Sequence, residues 1–221
     1  GIGRDSTVKL DREIRFPQSL GMLYSAFTYY LGFKVNDGEY KIMGLAPYGE
    51  PKHKQTIYDN LIDVQSDGSY HLNMKYFNYC TGLTMTNNHF HKLFGAPPRT
   101  SATPLNQRDM DLARSIQVVT EEIVLKLVRD LHKKSGQKYL CIAGGVALNC
   151  VANGRILRES PFEKIWVQPA AGDAGAAVGV ALAICHTTGG IKRKLHIKTG
   201  DNMAGSYLGP SFDESAIHTS L

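Results

Sequence analysis

Two short apolar runs, each stopped by glycine, constrain this chain more than any other feature. The first is Lys138-Tyr-Leu-Cys-Ile-Ala-Gly-Gly-Val-Ala-Leu-Asn149, whose apolar stretch ends at Gly144-Gly145. The second is Lys164-Ile-Trp-Val-Gln-Pro-Ala-Ala-Gly-Asp173, which leads into a run of small residues from Ala174 to Ala183. Short apolar runs bounded by glycine read as buried strands, and the residues after each turn have helical character. Two strand–turn–helix units in tandem predict an α/β chain with a parallel sheet, since the intervening segment must cross back to start the next strand. Both strands then open at their C-terminal ends onto one crevice, with Arg155 and Arg158 on the segment between them. Helix N-termini at such a crevice expose unpaired N–H groups and a partial positive charge, which suits phosphate. Ligand binding there is the central expectation.

The preceding chain reads as scaffold. Ser19 is placed to cap a helix in which Leu20, Leu23, Tyr24, Phe27, Tyr30 and Leu31 recur at helical spacing, and Gly32 stops it. Residues 39–46 predict a short helix closed by Pro47, and 51–63 an amphipathic helix with Pro51 in its first position. A hairpin turning at Ser66-Asp-Gly68 and a proline-rich loop over 95–107 follow. From Gln107 to Ser135 runs the longest predicted helix, ended by Gly136. Its buried stripe is Leu112, Ile116, Val119, Ile123, Leu127 and Leu131; Arg114, Glu121, Glu122, Arg129 and Lys133 read as a solvated face. His89 and His91 are two residues apart, a spacing that diverges on a helix and argues against a metal pair. Residues 1–16 read as a strand remnant or a loose terminus.

With 221 residues, 43% apolar and 20% charged, the chain can bury a real core. Ala174–Cys185 is too short and too rich in glycine and alanine to span a bilayer, and residues 1–16 hold no secretory signal. Four cysteines without CxxC spacing, two of them expected in the strand and helix core, fit a reduced cytoplasmic setting. The basic cluster Lys192, Arg193, Lys194, His196 and Lys198 fits a solvated linker better than a nucleic-acid contact. A first residue Gly1 and an end at Ser220-Leu221, just after a new element begins, read as an excised piece. The expected division is a nucleotide-binding unit over 1–186 and a basic linker over 187–221.

Gly144-Gly145 lets a backbone approach phosphate closely, or is merely a strand exit. Asn149 and Asn153, four apart, would share a helix face and reach a ribose or phosphate, or stand solvated. Asp173, the only ionisable group in the first turn of its helix, can cap that helix or hold a divalent metal beside phosphates. Glu39 and Lys41 flank an apolar stretch that does not need their charge. No Gly-x-x-x-x-Gly-Lys-Ser/Thr, Gly-x-Ser-x-Gly or His-Glu-x-x-His pattern occurs, which argues against a P-loop ATPase, a nucleophile elbow and a zincin.

Four motifs stand in order: Phe16-Pro-Gln-Ser-Leu-Gly-Met-Leu-Tyr-Ser-Ala-Phe-Thr-Tyr-Tyr-Leu-Gly-Phe33, Glu39-Tyr-Lys-Ile-Met-Gly-Leu-Ala-Pro-Tyr-Gly49, Ala143-Gly-Gly-Val-Ala-Leu-Asn149 and Pro169-Ala-Ala-Gly-Asp-Ala-Gly175. Together they resemble the carbamoyltransferases that O-carbamoylate nodulation factors and antibiotics. The resemblance implies the later part of an actin-like ATPase (RNase H-like) fold, related to tRNA threonylcarbamoyl transferases. It implies transfer of a carbamoyl group from carbamoyl-adenylate, made from carbamoyl phosphate and ATP, to a hydroxyl on a small molecule. By position, Gly144, Gly145 and Asn149 match the nucleotide-contacting motif, Glu39 and Lys41 a second motif of that crevice, and Asp173 a ligand to a divalent metal, iron in similar enzymes. An upstream half-domain with a histidine pair and a C-terminal YrdC-like adenylate-forming domain are implied but lie outside this sequence. Gln18 stands where the family's motif usually has histidine. The residues do not name the general base, whose candidates by the resemblance lie upstream, and no membrane or nucleic-acid partner is implied. An actin-like-fold kinase, a threonylcarbamoyl transferase or a non-catalytic binding module are the alternative readings.

Overall fold

The computed structural model describes residues 1–192, 203–207 and 209–220, so most of the basic cluster, from Arg193 onward, lies outside the described residues. The chain opens with a hairpin of β1 (Ile2–Arg4) and β2 (Thr7–Lys9), then α1 (Leu20–Tyr30), α2 (Glu39–Leu45) and α3 (Lys54–Asn60). A second hairpin pairs β3 (Ile62–Val64) with β4 (Tyr70–Leu72) and precedes α4 (Asn88–Phe94). The long α5 (Gln107–Ser135) leads into β5 (Tyr139–Ile142), α6 (Cys150–Glu159), β6 (Lys164–Val167) and α7 (Asp173–Ala183). A last helix, α8, covers Glu214–Ser220.

Local chemistry explains the boundaries. Ser19 Oγ accepts from Met22 N at 3.2 Å as the N-cap of α1, and Gly32 follows with φ 76°. Gln18 accepts from Leu72 N and ties the entrance of α1 to β4. A reciprocal capping box between Asn106 and Asp109 opens α5, and left-handed Gly136 closes it. Pro47 does not end α2 outright. It sits inside a 3-10 turn, Ala46–Tyr48, which continues the helix because proline needs no N–H partner in a first turn. The third helix starts at Lys54, three residues after Pro51, because the backbone at 50–53 is held by α5 instead: Asp111 Oδ1 accepts from Glu50 N at 2.9 Å and Ser115 Oγ from His53 N at 3.0 Å.

The first sixteen residues are tied down: Arg12 pairs with Asp67 at 2.9 Å and Asp130 at 3.3 Å, and Thr187 Oγ1 donates to Ser6 O at 3.0 Å. α5 is the axis of the molecule and is buried on more than one face. One stripe, Leu112, Ile116, Val119 and Ile123, joins the main core with Leu23, Phe27, Tyr30, Ile42, Ile57 and Phe90. A second, with Leu125 and Val128, packs on Leu140, Ile156 and Phe162 beneath the parallel strands.

β5 and β6 are parallel, Tyr139 opposite Lys164 through Ile142 opposite Val167, as two strand–turn–helix units require. Only one face of this pair is covered. Tyr139 and Trp166, on the other, are 62% and 44% exposed, and α7 buries none of its residues. Accordingly the cysteines expected in the core are not there: all four are free and exposed. Of the two glycines on α7, Gly175 approaches Ala170 O so closely that a Cβ would clash, whereas Gly179 faces open space rather than a strand. Among the described residues no helix is long and apolar enough to cross a membrane.

Candidate functional site

The two strand exits meet. Gly144 N donates to Ala171 O at 2.7 Å, joining the turn after β5 to the turn before α7. Gly144 has φ 97° and ψ 166°, a conformation that side chains forbid. A Cβ on Gly144 or Gly145 would meet nothing within 4 Å, so these glycines do not serve protein packing. The first shapes the turn; the second leaves bare backbone facing solvent. Gly145–Leu148 then form a 3-10 turn that delivers Asn149.

Asn149 stands outside the helix as its N-cap, Oδ1 accepting from Ala152 N at 3.0 Å. It therefore shares no helix face with Asn153, whose Nδ2 donates instead to Ala147 O at 2.7 Å and braces the turn from behind. Asn149 also forms a two-way amide pair with Gln117 of α5: Asn149 Nδ2 donates to Gln117 Oε1 at 2.9 Å and Gln117 Nε2 to Asn149 Oδ1 at 3.1 Å. Gln117 in turn accepts from Tyr24 Oη at 2.9 Å and donates to Glu121 Oε1 at 2.8 Å. Arg155 Nη1 holds the other oxygen of Glu121 at 3.0 Å. Burial, then the nearby carboxylates of Glu121 and Glu39, push the Tyr24 phenol far above its ordinary value, so it stays a neutral donor.

Glu121 is thus buried and not on a solvated face, and Glu122 is half-buried between Lys54 and Tyr58. A buried charge persists only with partners, and both have them. Gln117 and Glu121 were legible as a signal: Ala113, Gln117, Glu121, Val124 and Val128 follow a helical period that an apolar-only stripe overlooks.

The remaining candidates lie on other elements. Glu39 opens α2 and turns inward, Oε1 accepting from Ser25 Oγ at 2.6 Å and Asn36 N at 3.2 Å. Lys41, two positions on, projects from a different side into solvent, within 3.9 Å of Asp37. α2 reaches the turn through Met43, whose sulfur lies 3.8 Å from Cys150 Sγ. Asp173 is the first residue of α7, exposed and without a capping bond, because Gly172 holds the extended N-cap position. His89 and His91 share α4 and diverge: His89 packs edge-on to Tyr76, while His91 Nε2 bonds Thr86 Oγ1 at 3.0 Å. No group of three or more His, Cys, Asp or Glu side chains among the described residues is placed to hold a metal.

Fold and site define a mixed α/β protein in which two parallel strands bring glycine turns together over a buried polar network. The chain belongs to the carbamoyltransferases: the family model described as "Carbamoyltransferase N-terminus" matches residues 2–182. It is 61% identical over 209 residues to a Synechocystis sp. protein named "Uncharacterized protein sll1178", covering 95% of this chain and 34% of that one. It is 38% identical to the nodulation protein NolNO of Sinorhizobium fredii, covering 79% and 24%, and 36% identical to the nodulation protein NolO of Bradyrhizobium diazoefficiens, covering 80% and 30%. The chain thus spans roughly a quarter to a third of the length of these relatives, 24% to 34%.

Proposed function

We propose that this chain is the nucleotide-binding part of an O-carbamoyltransferase with an actin-like ATPase domain. The supporting observation is the junction of the two strand exits at Gly144 and Ala171, with bare backbone at Gly145 and Asn149 held beside it. Backbone amides at the turn would receive phosphate oxygens of ATP or carbamoyl-adenylate, and Asn149 would donate to the same ligand. In transfer, the acceptor's hydroxyl oxygen attacks the carbamoyl carbon, the bond to AMP breaks, and the proton passes to a general base. Glu39 contributes by fixing α2 against α1, and Lys41 by its charge at the crevice rim.

The described residues do not compose a metal site by themselves. Asp173 would serve as one ligand, with the others supplied by residues outside this chain. Further polypeptide, an upstream half-domain and an adenylate-forming YrdC-like domain, would complete the site and cover the bare face of β5 and β6. Cytoplasmic residence and a small hydroxylated acceptor belong to this reading.

Gly145→Val tests it in the full-length polypeptide. A Cβ at this position meets no protein atom within 4 Å, so the fold should stand while ATP affinity falls by about tenfold or more by calorimetry. Unchanged affinity would refute the cradle. With carbamoyl phosphate and ATP, release of AMP and pyrophosphate supports carbamoyl transfer, and ADP alone supports a kinase.

A further inference from the structure

Gln117 and Glu121 touch no candidate ligand position, yet together they decide which end of the Asn149 amide is free. An amide can point either way, and only its partners choose. Glu121, held by Arg155 at 3.0 Å, is an acceptor with no proton to give. The Gln117 atom 2.8 Å from it must therefore be the NH2 nitrogen. That orientation turns Gln117 Oε1 toward Asn149 Nδ2 and leaves the second Nε2 hydrogen for Asn149 Oδ1. Ala152 N–H, which can only donate, sets the same orientation from the other side. All four hydrogen-bonding sites of Gln117 are used, counting the Tyr24 hydroxyl, and Gln117 is 1% exposed.

Asn149 then has one Nδ2 hydrogen given to Gln117 and a second that meets no acceptor among the described residues. We infer that Gln117 and Glu121 are positioning residues that make Asn149 present a hydrogen-bond donor, never an acceptor, to an oxygen of the bound nucleotide. The inference rests on the nucleotide reading of the Gly144–Asn149 turn and adds the polarity of that contact and the residues that impose it.

Three variants of the full-length polypeptide test it, with ATP binding by calorimetry and KM and kcat for ATP as readouts. Asn149→Asp keeps the oxygen that caps α6 but replaces the donor by an acceptor; KM should rise by about tenfold or more, the worth of one hydrogen bond. Gln117→Leu preserves bulk and removes the amide pair; KM should rise similarly while kcat at saturating ATP stays within about twofold. Loss of folded enzyme alone would lower kcat and leave KM in place. Glu121→Gln keeps the shape but offers an amide where an acceptor stood, so Gln117 loses the group that fixes its orientation and KM should rise by about threefold or more, again with kcat within about twofold.

Gln117→Leu or Glu121→Gln with unchanged KM overturns the positioning role while the Asn149 contact stands. Asn149→Asp with unchanged ATP affinity overturns the nucleotide reading and the inference together. Should Gln117→Leu fail to fold, Glu121→Gln is decisive by itself, since an unchanged KM in a folded enzyme contradicts the inference.

Discussion

Replacing Asp111 by asparagine should weaken the protein at neutral pH and lose that effect in acid. Asp111 lies buried near the start of α5. Its Oδ1 accepts from Glu50 N and Gln107 Nε2, each at 2.9 Å, and its Oδ2 from Lys52 Nζ at 2.9 Å. The Glu50 N–H first, then Gln107 and Lys52, hold the carboxyl down at about 2 from its ordinary 3.8. By linkage that depression corresponds to about 2 kcal/mol of stability, a ceiling because half-exposed Lys52 is screened by solvent. A depressed carboxylate contributes in full above its unfolded value and loses the contribution as pH falls toward its folded one. Asparagine keeps an oxygen for Glu50 N but no charge. Urea unfolding followed by circular dichroism should therefore give a wild-type advantage of about 2 kcal/mol at pH 7, roughly half that near pH 3, and about a sixth of it at pH 2. Other carboxylates cancel in the comparison. A gap that stays constant from pH 7 to 3, or is absent at pH 7, would refute the account of how α5 holds residues 50–53.

Two further changes have opposite signs within one motif, and a third concerns one exposed carboxylate. A Cβ at Gly49 would lie 2.0 Å from Met110 O, a backbone atom of α5, so Gly49→Ala should cost about 3 kcal/mol and lower the melting temperature. Gly44, inside α2, has nothing within 4 Å of its Cβ position, and Gly44→Ala should stabilise by about 0.5–1 kcal/mol. Asp173→Ala should cost only the helix-dipole contribution, about 0.3–1 kcal/mol in low salt, because no capping bond is lost. Melting in 1 M salt should erase that difference; a larger, salt-independent loss would mean that Asp173 has a partner.

What the residues alone determined is whatever depends on neighbours in sequence. The 3.6-residue period and the glycine stops placed α1 and α5, with Gly136 closing the latter. Apolar runs cut by glycine located β5 and β6 and foretold their parallel pairing. The four motifs named the family, which the match over residues 2–182 establishes. Tertiary structure decided everything that needs a distant partner. Asp173 looked like a cap because it is acidic at a helix start, but capping depends on the extended backbone that Gly172 holds. Glu121 looked solvated because periodicity was counted over apolar side chains only. Its partner Arg155 is 34 residues away, and only the packing of α6 on α5 brings the two together. The same packing sets Gln117 against Asn149, 32 residues apart. A helix period reports which residues share a face, and says nothing of what the opposing element presents to it. In this protein α6 and the turn before it present an arginine and an amide, so a polar stripe is buried between them.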